Sequence, residues 1–385
     1  MKIGLFTEAY FPIISGVSIS VRTLKNELIG LGHEVVVVTL HHPNALPEEG
    51  VYRFKGKTLP MKGMGEFSVA RVSRSKVQTM VDMKFDIVHC HTEFSMGRLG
   101  RKVGKVCHIP TIHTYHTMYD DYLHFISKAL IVPLKFVSKY YFRSFANSSD
   151  EVIFPTMKVK ETFDQYGYHK PYHIIPTGIY IDRLRKINYK KKEINRLRDT
   201  LGILEDETVL LFLGRISLEK NIEELINQYA KLAKRHEKTK LVIVGGGPDA
   251  EKFKKQATKL GLDKLVVFTG MIPPKEVGYY YQIADMFVNF STTETQGLTY
   301  IEALASGLPL LVKWDSNLEG VLENHINGIT FHEDNEFIKA YEELTSNQVK
   351  FQKITNNTTK SIDKYSAQNY AKNIEEVYKG VIKKA

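Results

Sequence analysis

The chain has 385 residues, 43% of them hydrophobic, which is enough for a sizeable core and suggests two domains rather than one. No run of 18 apolar residues occurs, so no membrane span is expected. The two cysteines, Cys90 and Cys107, lack ligand-type spacing and point to a reduced, cytosolic protein without structural zinc. The net charge of +10 sits entirely in the first half: residues 1–200 hold 30 Lys and Arg against 18 Asp and Glu, and residues 201–385 hold 23 against 25. That half is expected to face an anionic surface or substrate, and no nucleic-acid motif is present.

The opening MKIGLFTEAYFP is too short and too polar for a signal peptide and reads as a first strand, followed by a loop through Gly16. Val17 to Leu31 reads as an amphipathic helix, and HEVVVVTL as a buried parallel strand rich in β-branched residues. Further strands are expected at Phe85–His91, at Pro110–His116, from Glu151 and from Tyr172. The pattern restarts around Ile174–Ile179. Strands at Val209–Ser217, Lys240–Asp249, Lys264–Ile272, Asp285–Ser291 and LPLLVK then alternate with helices at Asn221–Arg235 and Leu298–Ser306. Such alternation predicts doubly wound α/β layers, twice over. The stretch Ala367–Lys384 carries Tyr370, Ile374, Val377, Tyr378 and Val381 at helical spacing, so its stripe must pack on something.

An enzyme that uses a nucleotide sugar must neutralise a diphosphate that gains charge as the sugar leaves. Cations and helix N-termini do this. Arg215, at a strand end, and Lys220, at the start of the next helix, fit that need, although two surface cations are the plainer alternative. The run Gly245-Gly246-Gly247 is weak evidence alone. The segment Ser291–Pro309 is stronger. Glu294 lies in a loop after a strand, Gly297, Leu298 and Thr299 open a helix with unused N–H groups, and Glu302 falls one turn in. Carboxylates accept hydrogen bonds from paired hydroxyls of a sugar or ribose, but they also suit a helix start for electrostatic reasons alone.

Glu294 and Glu302, with Gly297 between them and SGLP after, resemble the E-x7-E motif of the retaining GT-B glycosyltransferases of sequence family four. GRISLEKN (Gly214–Asn221) resembles that family's G-R-x-x-x-x-K segment, ISGVSISV (Ile14–Val21) its N-terminal glycine loop, and IIPTGI (Ile174–Ile179) its I-P-N-G-I/V. The resemblance implies an α/β fold of the GT-B kind, two Rossmann-like domains facing each other across a cleft. Their expected extents are 1–175, completed by the helix 367–385, and 176–366. It implies that Arg215 and Lys220 hold the diphosphate, Glu294 the transferred sugar and Glu302 the ribose. It also implies that the backbone at Gly297, Leu298 and Thr299 meets sugar and phosphate, and that Met271 lies near the base. Gly16 would let the N-terminal loop approach the diphosphate closely. Gln296 stands where many relatives have an aromatic residue, which leaves glucose against galactose open. Among His89, His91, His113, His116 and His124, His116 matches the family histidine that reaches the donor sugar. His89 and His91 share a strand face and can serve simply to cap the sheet. No metal or other cofactor is expected, and no D-x-D pair occurs.

HTEFSMG (His91–Gly97) and HTYHTMYDDY (His113–Tyr122) resemble segments of bacterial diacylglycerol glucosyltransferases. The resemblance implies transfer of glucose from UDP-glucose to diacylglycerol or its monoglucosyl form, by an enzyme held peripherally at the inner face of the membrane. The residues point the same way. Lys135, Lys139 and Arg143 recur along one helix side, and Leu134, Phe136, Val137, Tyr140, Tyr141 and Phe145 cover much of the rest. Arg98, Arg101, Lys102 and Lys105 form a second basic stripe. Two ordinary solvated helix faces are the alternative reading. Other functions consistent with the motifs are transfer to a soluble sugar, polyol or glycan, sugar-nucleotide epimerisation, and nucleotide-sugar binding without catalysis.

Overall fold

The computed structural model describes residues 1–61, 65–118, 131–360 and 362–384, with the backbone alone at 59–61, 65–67 and 131–135. His124 lies outside the described residues, and so do the side chains of Leu134 and Lys135. The chain divides into two compact units, Met1–Ile179 with Tyr365–Ala385, and Tyr180–Lys364. The expected boundaries lie four residues earlier at the first crossing and two later at the second.

The first unit is built on a seven-stranded sheet. Its strands are β1 (Lys2–Phe6), β2 (Glu34–Leu40), β3 (Val51–Phe54), β6 (Ile87–Cys90), β7 (Thr111–Thr114), β8 (Glu151–Phe154) and β9 (His173–Ile174), all parallel, in the order β3-β2-β1-β6-β7-β8-β9. A separate antiparallel hairpin joins β4 (Lys57–Met61) to β5 (Gly65–Val69). β2 is the VVVV run, whose stiff branched side chains favour a strand covered on both faces. The helices are α1 (Gly16–Gly30), α2 (Arg74–Val81), α3 (Ser95–Cys107), α4 (Ile131–Asn147) and α5 (Met157–Gln165). Ser15 and Ser18 close a reciprocal capping box that starts α1.

The second unit carries a six-stranded parallel sheet of β10 (Thr208–Leu213), β11 (Thr239–Val244), β12 (Val266–Gly270), β13 (Met286–Asn289), β14 (Leu310–Lys313) and β15 (Gly328–Phe331), in the order β12-β11-β10-β13-β14-β15. Around it lie α6 (Ile181–Leu184), α7 (Lys191–Thr200), α8 (Ile222–Ala233), α9 (Ala250–Lys259), α10 (Val277–Gln282), α11 (Leu298–Ala305), α12 (Phe337–Thr345) and α13 (Gln348–Asn357). The last helix, α14 (Ala367–Lys384), belongs to the first unit. Tyr370, Ile374, Val377, Tyr378 and Val381 are all buried there, in the cluster that also holds Leu24 and Leu28 of α1 and Ile3 and Leu5 of β1. Among the described residues no helix is long and apolar enough to cross a membrane.

Candidate active site

In each sheet the strand order reverses at one place, β1/β6 in the first unit and β10/β13 in the second. Loops that leave the carboxyl ends of strands on either side of such a reversal diverge and leave a crevice for ligands. Gly16 follows β1 at the first of these places, and Arg215, Lys220, Glu294 and Gly297 follow β10 and β13 at the second, while His116 and Met271 follow strands further out, β7 and β12.

In the second unit β10 and β13 pair directly, so the loops after them emerge side by side. The first carries Arg215 and Lys220, the second Glu294. Thr293 Oγ1 donates to the Glu219 carbonyl at 3.1 Å, which ties the two loops together. Lys220 Nζ lies 2.7 Å from Glu294 Oε1, with both side chains largely covered. The cation expected on phosphate and the carboxylate expected on sugar therefore hold each other. Arg215 is exposed. The glycine run after β11 has a structural role here. A Cβ on Gly245 would lie 1.9 Å from the Gly214 carbonyl oxygen, and one on Gly247 would lie 2.0 Å from that of Ile216. Only bare backbone can pack so closely against the loop that carries Arg215. Met271 follows β12, is 75% exposed, and rests against Gly246.

Gly297 takes the left-handed conformation, φ 71°, that turns the chain from the β13 loop into α11. A side chain there would be strained and would collide with the Tyr300 ring. Leu298 and Thr299 occupy the first turn of α11, where N–H groups have no acceptor within the helix. Gln296 is buried. Glu302 sits one turn further on. The Tyr281 hydroxyl of α10 donates to its Oε2 at 2.7 Å and approaches the Thr299 carbonyl at 3.5 Å. The residue keeps some solvent access by surface area, yet protein encloses its carboxyl. That desolvation, only partly offset by the Tyr281 hydrogen bond, pushes its pKa up to about 7.

In the first unit Gly16 is the exposed first residue of α1, after the Ser15 cap. His116 follows β7, and its Nε2 lies 3.0 Å from His91 Nδ1, with the two rings stacked. His89 and His91 do share one face, their ring centres 4.1 Å apart. His89 is held at 2.7 Å by both the Tyr378 hydroxyl of α14 and the Thr114 hydroxyl. Burial pushes His89 and His91 far below the ordinary range and brings His116 down to about 3. These imidazoles are therefore neutral hydrogen-bonding groups at physiological pH. Beneath them His113 meets Glu93 at 3.1 Å, both fully buried. Among the described residues no group of three or more His, Cys, Asp or Glu side chains is arranged to hold a metal ion.

The sequence reading missed Glu8, Glu93 and Tyr281. Glu8 follows β1 and is enclosed. It accepts from the Ser95 hydroxyl at 2.7 Å, from the Thr92 hydroxyl and from the Met96 N–H, while desolvation raises its pKa. Its only signal was a carboxylate ending an apolar first strand. Tyr281 carries no signal beyond being one tyrosine in GYYY. The two basic stripes also resolve. Arg98, Lys102 and Lys105 of α3 are exposed over a buried back of Met96, Leu99 and Val103. On α4, Phe142 and Phe145 face the core, so Phe145 is not part of the outer face. Phe136, Val137, Tyr140 and Tyr141 are outside, between 37% and 63% exposed.

Two family models match the chain, Glycosyltransferase Family 4 over residues 14–183 and Glycosyl transferases group 1 over residues 193–361. The chain is 36% identical to an alpha-monoglucosyldiacylglycerol synthase of Acholeplasma laidlawii, over 100% of this chain and 98% of that protein. It is also 36% identical to one of Streptococcus pneumoniae, over 98% and 85%. Among solved structures it resembles Anabaena Alr3699/HepE in complex with UDP-glucose, with a TM-score of 0.78 at 18% identity over 99% and 100% of the two chains. It also resembles a glycosyltransferase from Rickettsia africae, with a TM-score of 0.81 at 16% identity over 100% and 99%. At such identities the structures speak for the fold alone, two parallel-sheet α/β units of the GT-B kind. Full-length identity of this size does more: the chain belongs to glycosyltransferase family 4 and is a hexosyltransferase.

Proposed function

We propose that this enzyme transfers glucose from UDP-glucose to 1,2-diacylglycerol or its monoglucosyl form, with retention at the anomeric carbon. The observation that carries the reading is the identity of 36% over the whole chain to alpha-monoglucosyldiacylglycerol synthases, in both the donor-type and the acceptor-type unit. The donor half of the reading has its chemistry in the second unit. As the glucose–phosphate bond breaks, negative charge builds on the diphosphate. Arg215, Lys220 and the first turn of α11 are suited to meet it, in place of a metal ion. Lys220 then exchanges Glu294 for phosphate, and Glu294 is released to accept hydrogen bonds from the sugar hydroxyls. Glu302 accepts from the ribose hydroxyls, and Met271 lies under the base. In the first unit neutral His116 donates to, or accepts from, the sugar, and Gly16 opens the turn that approaches the diphosphate.

The acceptor half rests on the first unit. Phe136, Val137 and Tyr140 present apolar surface on the outer face of α4, with Lys139 and Arg143 beside them. Arg98, Arg101, Lys102 and Lys105 line an open groove of about 1140 Å³ along α3. Exposed aromatics next to cations suit the interface of an anionic bilayer, where a diacylglycerol is found, and support a peripheral position on the cytoplasmic face. The test is UDP release from UDP-glucose, with and without diacylglycerol in anionic vesicles, following the lipid by chromatography. A glucosylated lipid is expected. UDP release that does not depend on lipid, or that appears only with a soluble sugar or polyol, overturns the acceptor assignment.

A further inference from the structure

Two buried side chains beside Gly297 have no part in the site so far described. Asn317 lies in the turn Ser316–Leu318 after β14 and is 1% exposed, yet among the described residues neither its Oδ1 nor its Nδ2 has a hydrogen-bond partner. Tyr300, in the first turn of α11, is fully buried, and its hydroxyl also lacks one. Both stand against the bare Cα of Gly297. A Cβ there would lie 3.4 Å from Asn317 Nδ2 and 2.4 Å from the Tyr300 ring. The charge of Glu294, the carboxylate expected at the sugar, is felt at the Tyr300 hydroxyl, as is that of Asp315.

Buried polar atoms in native proteins are nearly always paired, with protein, water or ligand. Three unmet atoms on two side chains that flank one glycine therefore need an explanation. The turn itself does not require the Asn317 side chain, because the Asp315 carboxylate already accepts from the Asn317 N–H at 3.0 Å. A leucine would fill the same space without leaving a polar atom unpaired. The chemistry of the unmet atoms narrows the ligand. Phosphate oxygens only accept, and would leave Oδ1 unmet. A pair of hydroxyls both donates and accepts, which an amide beside a phenol matches atom for atom.

We infer that the Asn317 amide, backed by the Tyr300 hydroxyl, reads the hydroxyl pattern of the transferred hexose, with Oδ1 accepting from one hydroxyl and Nδ2 donating to its neighbour. Gly297, three residues after Glu294, has no side chain to stand between that carboxylate's loop and the amide. The inference rests on the proposed use of a nucleotide hexose and deepens it by naming the residues that select the sugar.

Calorimetric titration of UDP and UDP-glucose into wild type, Asn317→Leu and Tyr300→Phe separates the possibilities, with a melting curve for each protein. Asn317→Leu is expected to bind UDP within about twofold of wild type and UDP-glucose about tenfold more weakly, a loss confined to the hexose. Its melting temperature should match or exceed that of wild type, because an unpaired amide has gone. Tyr300→Phe should show the same selective loss at about threefold, and it carries the test if Asn317→Leu does not fold. UDP-glucose affinity that stays within twofold overturns the inference. Equal losses for UDP and UDP-glucose overturn it too, since they mark a structural role. A lower melting temperature with unchanged discrimination points to a trapped water and has the same effect. Wild type that binds no nucleotide hexose sinks the donor reading, and this inference with it. Wild type that prefers UDP-glucose, with Asn317→Leu keeping that preference, sinks this inference alone.

Discussion

The carboxyl of Glu302 couples stability to pH and, if it holds the ribose as proposed, donor binding as well. Its pKa rises from 4.5 to about 7 on folding, so between those values the folded chain holds a proton that the unfolded chain has lost. Stability contributed by this group therefore falls as pH rises through that window, and the cost is complete above about pH 7. Glu302→Gln removes the titration while keeping an oxygen for the Tyr281 hydroxyl. Its melting temperature should exceed that of wild type more at pH 8 than at pH 5, and an equal difference at both would refute the shift. If the carboxylate receives ribose hydroxyls, wild-type affinity for UDP should rise from pH 6 to pH 8, while that of Glu302→Gln stays low and flat. The Lys220–Glu294 pair predicts a different asymmetry. Lys220→Ala removes the charge proposed to meet phosphate and should weaken UDP by roughly one to two powers of ten, about what a charged hydrogen bond contributes. Glu294→Ala removes the group proposed to meet the sugar and should cut turnover far more than UDP affinity. Because each residue also restrains the other, the double variant should lose less than the two single losses together. Simple additivity would mean that the pair seen at 2.7 Å has no energetic consequence.

At the scale of elements, helix α4 is where the sequence pattern was right about composition and incomplete about direction. A run of aromatics and cations can bury its rings or expose them, and periodicity alone does not decide when apolar residues occupy most of the helix. In the fold Phe142 and Phe145 turn inward while Phe136, Val137 and Tyr140 stay outside. Arg143 is also less available than its spacing suggested. Its guanidinium donates to the Tyr166 carbonyl at 3.2 Å and lies over the Tyr140 ring. Removing it therefore costs packing as well as charge, so the cleaner test replaces Phe136 and Val137 with Ser. Binding to anionic vesicles should fall several-fold while UDP affinity holds, since apolar groups left mostly exposed contribute little to the fold. Wild-type vesicle binding should also fall with added salt, by screening of Lys139 and the α3 stripe. Vesicle binding that ignores both changes would assign the lipid contact to another surface. The site elements were legible to differing degrees. Glu294, Glu302 and Lys220 were singled out by their spacing, which resembles the E-x7-E and G-R-x-x-x-x-K patterns. Tyr281 and Asn317 were not, because they reach the site through the tertiary path of α10 and of the turn after β14, which no local spacing encodes.

For the whole molecule, alternation of strand and helix was enough to predict two doubly wound layers, and the VVVV of β2 is unmistakable. The hairpin β4/β5, the edge strands β3 and β15 and helices such as α7 and α13 were not foreseen. Their short or largely polar stretches, KTLPM and KKEINRLRDT among them, look alike whether coiled or paired. The C-terminal stripe was foreseen only as needing a partner, and the partner proves to be the first unit, reached after the whole second unit has been threaded. Tyr370, Ile374, Val377, Tyr378 and Val381 are buried there, Tyr370 meets the Ser20 hydroxyl at 2.9 Å, and Tyr378 holds His89. Five such side chains at about 1.5–3 kcal/mol each contribute on the order of 10 kcal/mol, as much as an entire domain commonly has to spare. A chain ending at Lys364 should therefore lose the first unit while the second, Tyr180–Lys364, keeps its own continuous core. Limited proteolysis should leave a resistant fragment close to those bounds, and calorimetry should show one unfolding transition where the full chain has more. Survival of a protected fragment from residues 1–179 would mean that the seven-stranded sheet stands without α14. The helix would then act on the site through Tyr378 and His89 alone.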